Sequence, residues 1–250
     1  MKKFLLFAAA ACSFATPAFA EDDDWSGAYI GVSGGYTAAK SDSTVALSNS
    51  WTAESQALRD LVTNGWAAKQ KVDNGNFGGQ IGYNMQTGGA VLGIEGDVSI
   101  LPGKADVSRT LTFSPTLNYL ATNQIDPKSI FSLRAKAGVA TGRTLIYVNG
   151  GWAWSRASVA AELTGNNGYH KLAQFDKTFN GFIVGGGVEQ KFSSNMSLRL
   201  EYAYTDQGDV TYDVPYVSGS SFAPPTFNYT ETFTQDLRMH LVRVGLNVHF

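Results

Sequence analysis

Val242-Arg243-Val244-Gly245-Leu246-Asn247-Val248-His249-Phe250 closes the sequence, and its alternation decides the fold. Val242, Val244, Leu246, Val248 and Phe250 take every second place, and a strand sends alternate side chains to opposite faces, so all five lie on one wall. A soluble protein seldom leaves such a wall uncovered, because a bare hydrophobic edge pairs with other chains. A strand that closes a barrel, with its apolar wall in lipid, has neither problem.

Working back from that strand, seven more segments show the same period of two over about ten residues, the length of a tilted membrane-crossing strand. They cover 26–36, 77–85, 91–100, 130–139, 145–154, 179–192 and 196–204, with 237–250 as the eighth. Short connections at 86–90, 140–144 and 193–195 carry good turn chemistry: Gly88-Gly89, Thr141-Gly142 and Ser193-Ser194-Asn195. Long connections span roughly 37–75, 101–129, 155–177 and 206–235, and are read as loops. The expected fold is all-β, an eight-stranded antiparallel up-and-down transmembrane β-barrel with four long extracellular loops and short periplasmic turns. Both chain ends then fall on the periplasmic side. Within the first loop, residues 52–62 are expected to form a short amphipathic helix, with Ala57, Leu58, Leu61 and Val62 on one side. It is read as a cap on the barrel mouth, with a receptor-binding helix as the alternative.

The aromatics agree with this arrangement. Tyr36, Phe131, Trp152, Trp154, Tyr202 and Tyr204 fall towards one end of their strands, and Tyr83, Phe192 and Phe250 towards the other. Two aromatic girdles around an aliphatic band mark a lipid-facing wall, whereas a soluble barrel has polar residues outside.

Residues 1–20 read as a signal peptide: Lys2 and Lys3, an apolar stretch from Phe4 to Ala11, then Ala18-Phe19-Ala20 before Glu21. Acylation at Cys12 is the rival reading, weakened by Ala9 where a leucine is usual. Cleavage leaves residues 21–250 as one barrel domain and removes the single cysteine, so no disulfide holds the fold. Lys2 and Lys3 leave as well, so the mature chain has fewer basic than acidic residues, against the basic balance of a nucleic-acid binder. The leader aside, no run of 18 apolar residues exists to make a transmembrane helix. Glu21-Asp22-Asp23-Asp24 lacks the spacing and turn glycine of a calcium loop, so no metal site is expected.

The same parity that sends apolar residues outward sends charges inward. Glu95, Asp97, Glu189 and Glu201 face Arg134, Lys136, Arg199 and Arg243, four acids against four bases. An eight-stranded barrel is just wide enough for side chains to fill it, and an unpaired buried charge is costly, so these eight are expected to pair. A charged, water-filled ion pathway is the alternative, with space left by inward Gly31, Gly82, Gly93, Gly138, Gly185 and Gly187.

Several motifs in strand order carry a family resemblance. Trp25-Ser26-Gly27-Ala28-Tyr29-Ile30-Gly31-Val32-Ser33-Gly34-Gly35-Tyr36 resembles the first strand of the small porin-like, surface-antigen outer-membrane proteins of Gram-negative bacteria. Gly79-Gln80-Ile81-Gly82-Tyr83-Asn84, Leu92-Gly93-Ile94-Glu95-Gly96-Asp97, Gly185-Gly186-Gly187-Val188-Glu189 and Leu200-Glu201-Tyr202-Ala203-Tyr204-Thr205-Asp206 are similar to its later strands. The resemblance implies delivery by periplasmic chaperones to the barrel-assembly machinery, which reads the terminal strand (Val242, Val244, Leu246, Val248, Phe250) as an insertion signal. It also implies a role in envelope integrity and as a surface antigen, with outer-membrane lipid and lipopolysaccharide as surroundings.

Three functional classes follow. The first is a non-enzymatic, monomeric structural and surface protein without a cofactor, with a weak, narrow pore as its open option. The second is a haemin or small-ligand binder, for which His170, Tyr212, Tyr216 and Tyr229 are the candidate axial ligands. The third is an outer-membrane enzyme. Against it, His170, His240 and His249 have no evident serine and carboxylate partners at a matching height.

Overall fold

The computed structural model describes residues 24–250, so the leader and its cleavage site lie outside the described residues, as does Cys12. Nine strands follow in order: β1 (Gly27–Asn49), β2 (Lys69–Thr87), β3 (Ala90–Ile100), β4 (Ala105–Ser114), β5 (Leu117–Thr141), β6 (Thr144–Gly165), β7 (His170–Lys191), β8 (Met196–Asp213) and β9 (Tyr229–His249). A short 3-10 helix (Ser50–Ala53) and one α-helix, α1 (Gln56–Trp66), lie between β1 and β2. Eight strands close a ring through β1–β9 and β3–β5 pairing, while β4 is a hairpin arm lying on the far part of β5.

The terminal strand is the closing seam. β9 pairs with β1 from Tyr29↔His249 through Tyr36↔Val242, and the Phe250 amide donates to the Ala28 carbonyl at 2.9 Å. Val244, Leu246 and Phe250 are exposed on the outer wall, while Arg243 and Asn247 are buried inside. Gly88 (φ 59) and Gly142 (φ 56) provide the left-handed residue in two of the tight turns.

The strands run far beyond the ten residues expected of them. Much of what was read as loop continues the barrel: β1 reaches Asn49, β5 begins at Leu117, β6 reaches Gly165 and β9 begins at Tyr229. The reason is a reversal of polarity along each strand. In the lower part of β1, Ile30, Val32 and Tyr36 are exposed outside; higher up, Lys40, Asp42 and Thr44 take the outward places and Ala39, Ser41, Ser43 and Val45 are buried. A pattern of apolar-out alternation detects the first half and misses the second. Near the turns the wall is built for lipid. Above the girdle that includes Tyr36, Phe131, Trp154 and Tyr202 it is built for water.

The interior follows the same division. Buried charges fill the lower lumen, whereas the upper lumen holds two apolar clusters. Ile125, Ile130, Phe179, Ile183, Met239 and Leu241 belong to the first. Trp51, Leu58, Val62, Trp66, Leu163 and Phe233 belong to the second. α1 seals the far end: its buried residues Leu58, Val62 and Trp66 recur every fourth place, and Trp66 packs edge-on to Phe233 at 4.6 Å. The helix runs 56–66, four residues later than expected, because Ser55 caps it by accepting from the Leu58 amide at 3.3 Å. Ala57, placed on the buried side by the sequence reading, is exposed. At the turn end, Trp25 is fully buried, and its indole donates to the Gly142 carbonyl at 3.2 Å. The barrel carries a stopper at each end.

Candidate functional site in the barrel interior

All eight charges read as inward-facing are buried, and β3, β5, β7, β8 and β9 bring them into one network. The register explains how: Glu95 lies opposite Arg134 across β3–β5, Glu189 opposite Arg199 across β7–β8, and Glu201 opposite Arg243 across β8–β9. Arg134 is the hub. It reaches Asp97 at 2.9 Å and Glu201 at 2.9 Å, and also contacts Glu95. Arg199 grips Glu95 with two nitrogens, at 2.5 and 2.9 Å, and touches Glu201. Arg243 joins Asp97 at 2.7 Å to Glu201 at 2.6 Å. Lys136 lies 3.4 Å from Glu95 and 4.0 Å from Glu189. Charge-assisted and forked contacts of this kind are the strong hydrogen bonds of protein interiors.

The network includes neutral members beyond the eight charges. The Tyr29 hydroxyl donates to Glu95 at 2.6 Å and accepts from Lys136 at 2.7 Å. Tyr147 and Asn149 each donate to Glu201 at 2.9 Å. Lys136 Nζ also lies over both rings, 4.6 Å from the Tyr29 centroid and 4.8 Å from that of Tyr147. These rings fill the space beside two of the inward glycines. A Cβ on Gly82 would come within 2.4 Å of the Tyr29 ring, and one on Gly187 within 2.7 Å of the Tyr147 hydroxyl. Gly82 and Gly187 make room for these tyrosines, whereas Gly31, Gly93 and Gly185 stand against the side chains of Asn247, Asn84 and Asn149.

One histidine corrects the expectation that none has such partners. His249 Nε2 lies 2.9 Å from Ser197 Oγ and 3.3 Å from Glu189 Oε1, and Ser197 donates to Glu189 at 2.5 Å. The three converge from β9, β8 and β7. Their order is unlike that of a nucleophile relay, in which the carboxylate orients the far ring nitrogen of the base. Here it meets the serine directly, Ser197 is wholly buried, and Trp25 closes over the ring at 5.6 Å.

The four candidate haem ligands do not converge. His170 sits on the outer wall, its Nε2 2.9 Å from Glu162. Tyr212 turns inward, stacks on Phe233 at 5.7 Å and donates to Gln235 at 3.2 Å. Tyr216 and Tyr229 stand at the capped mouth, where the Tyr229 amide donates to the Tyr216 hydroxyl at 2.8 Å. Their phenol groups are already engaged: Lys171 Nζ lies 4.2 Å over the Tyr216 ring, and the Tyr229 hydroxyl donates to Glu54.

Beneath that mouth a second buried ion pair, Lys171 with Glu231, holds the cap in place. Glu231 also accepts from the Trp51 indole at 2.9 Å and from the Tyr169 hydroxyl. Burial, with the Glu231 charge beside it, holds the Tyr169 phenol well above the usual phenol range. Burial and the Glu54 contact do the same for Tyr229.

Comparison with known proteins agrees with this architecture. Residues 6–250 match the outer membrane protein beta-barrel domain. The chain is 30% identical to the 31 kDa outer-membrane immunogenic protein of Brucella melitensis, over 99% of this chain and 100% of the relative. It is also 30% identical to the 22 kDa outer membrane protein of Rhizobium leguminosarum, over 70% of this chain and 66% of that protein. Among solved structures, the outer membrane protease OmpT of Escherichia coli overlays with a TM-score of 0.51 at 11% identity, covering 94% of this chain and 99% of that one. That likeness is one of fold. Its outward apolar band, its closed ring and the full span of the match place this chain in the outer membrane protein beta-barrel domain family, a surface-protein family of the Gram-negative outer membrane.

Proposed function

We propose that the chain is a closed, non-conducting and non-enzymatic surface barrel that contributes to envelope integrity and presents its capped end to the outside. The observation that carries this reading is the interior: paired charges below, apolar packing above, and a tryptophan stopper at each end. An ion crossing it would have to separate Arg134 from three carboxylates in a space that side chains already fill. The buried Ser197, behind Trp25, likewise offers no path for a substrate.

The polar upper wall supports an orientation. Long water-facing extensions suit the extracellular side, and short turns with both termini suit the periplasm. Phe250 and its outward neighbours serve as the strand read by the barrel-assembly machinery after chaperone delivery. The apolar band then meets lipid and lipopolysaccharide all round, which favours a monomer. No nucleic acid or cofactor enters this reading.

Single-channel recording of the refolded protein in planar bilayers tests it. Near-silence is expected, and a steady large conductance would overturn the filled-lumen reading. Labelling of intact cells tests orientation: a cysteine at Thr52 should react with an impermeant maleimide, and one at Thr141 should not.

A further inference from the structure

The capped mouth contains a cleft of about 180 Å³ whose walls are mostly aromatic. Trp51, Tyr119, Tyr169, Phe222 and Tyr229 line it, with Glu54 at the same wall. Neighbouring rings stand nearly perpendicular: Trp51 and Tyr229 meet at 71° and 5.0 Å, and Tyr119 and Tyr169 at 85° and 6.2 Å. Rings in such edge-to-face contact turn their faces in different directions around the adjoining space. Aromatic faces carry negative potential, and a cation seated against them is attracted.

The electrostatics favour the same kind of guest. Among the described residues, no cation forms an ion pair with the Glu54 carboxylate, which accepts only from Tyr229. Arg59, on the adjoining turn of α1, donates instead to the carbonyls of Trp51, Thr52 and Glu54 at 3.3, 3.2 and 2.9 Å. The deeper Glu231 is matched by Lys171. The cleft therefore combines aromatic walls with an unmatched carboxylate.

Its polar atoms select among cations. The Trp51 indole and the Tyr169 hydroxyl are both committed to Glu231, and the Tyr229 hydroxyl to Glu54. A primary ammonium would lose its water and have only Glu54 and Asn167 in the lining to receive its three N–H groups, whereas a quaternary ammonium has no N–H to satisfy. Size agrees, since a cavity of roughly 150 Å³ holds one benzene, and drug-sized ligands need about 300–1,000 Å³. One trimethylammonium group fits the cleft, and a macrocycle does not.

We propose that this aromatic cleft with Glu54 is a binding site for a quaternary ammonium group of the choline type, free or carried on a phosphocholine head. Calorimetric titration of the full barrel in maltoside micelles tests it, using choline, glycerophosphocholine and 3,3-dimethylbutan-1-ol, the uncharged isostere of choline. Saturable choline binding, at least about tenfold tighter than that of the isostere, is the expected result for a desolvated cation on aromatic faces. Glycerophosphocholine binding as well as choline assigns the site to head groups; choline alone assigns it to the free cation. Glu54→Gln should weaken choline about tenfold while the heat-dependent gel mobility of the barrel stays unchanged. Equal binding of the isostere, an unaltered affinity in Glu54→Gln, or no saturation by about 50 mM choline, beyond the weak millimolar range, overturns the proposal.

Discussion

Arg134 shows what a single residue does in this interior. Its guanidinium is wholly buried and touches Glu95, Asp97 and Glu201, so removing it leaves the four acids facing three bases in the buried lumen. Arg134→Met, which keeps the side-chain length and drops the charge, is expected to cost about 3–5 kcal/mol. Urea unfolding of the barrel in lipid vesicles measures it, and an unshifted midpoint would show that water enters the lumen. At this scale much of the site was legible. Parity along each strand placed all eight charges, and the same parity places Tyr29 between outward Ala28 and Ile30, and Tyr147 between Ile146 and Val148. The His249–Ser197–Glu189 group was not legible, because it is assembled across three strands whose mutual register no single segment contains.

Among the elements, α1 behaves as a lid held by its three buried residues, Leu58, Val62 and Trp66. Trp66 is its largest anchor: the ring packs on Phe233, and its indole donates to the Thr122 carbonyl at 3.2 Å. Trp66→Ala removes that anchor at a cost of about 3–5 kcal/mol, which the lid bears and the ring does not. Trypsin should then cut after Arg59 in the variant long before it cuts the parent, while heat-dependent gel mobility remains.

The lid should also respond to alkali. Tyr169 and Tyr229 have phenol groups raised by burial and by neighbouring carboxylates, so folding favours their neutral forms. Their contribution is complete below the ordinary phenol value of about 10 and is lost as pH rises through the higher folded values. Phenolate absorbance should lag behind that of the urea-unfolded chain, and trypsin sensitivity should rise as it catches up. The upper strands around this lid escaped the sequence reading for a physical reason. Their alternation is as regular as below, but with apolar residues inside, and a search for a lipid-facing wall passes over it.

For the whole molecule, the change of polarity up the wall is the feature that joins fold to location. Val148 lies outward in the apolar band, 65% exposed, and Thr44 lies outward on the upper wall. Val148→Arg is expected to destabilise the barrel in bilayers by about 2–4 kcal/mol, the cost of an arginine near the midplane. Thr44→Arg should change stability by no more than about 0.5 kcal/mol, as at other water-facing sites. Vesicle unfolding of the pair checks this, and equal effects would remove the distinction between the two halves of the wall. Neither half is legible without the other: the terminal strand points to lipid, and only the closed ring shows how much of the barrel stands clear of it.

That boundary also fixes how deep the protein sits. Sliding the barrel along its strands would draw polar side chains such as Lys40 towards the hydrocarbon, or lift aromatics such as Tyr36 out of the interface. Each step in either direction is opposed on all eight strands at once. The bilayer must therefore thin or thicken to meet the barrel, because the barrel has no freedom to move to meet the bilayer.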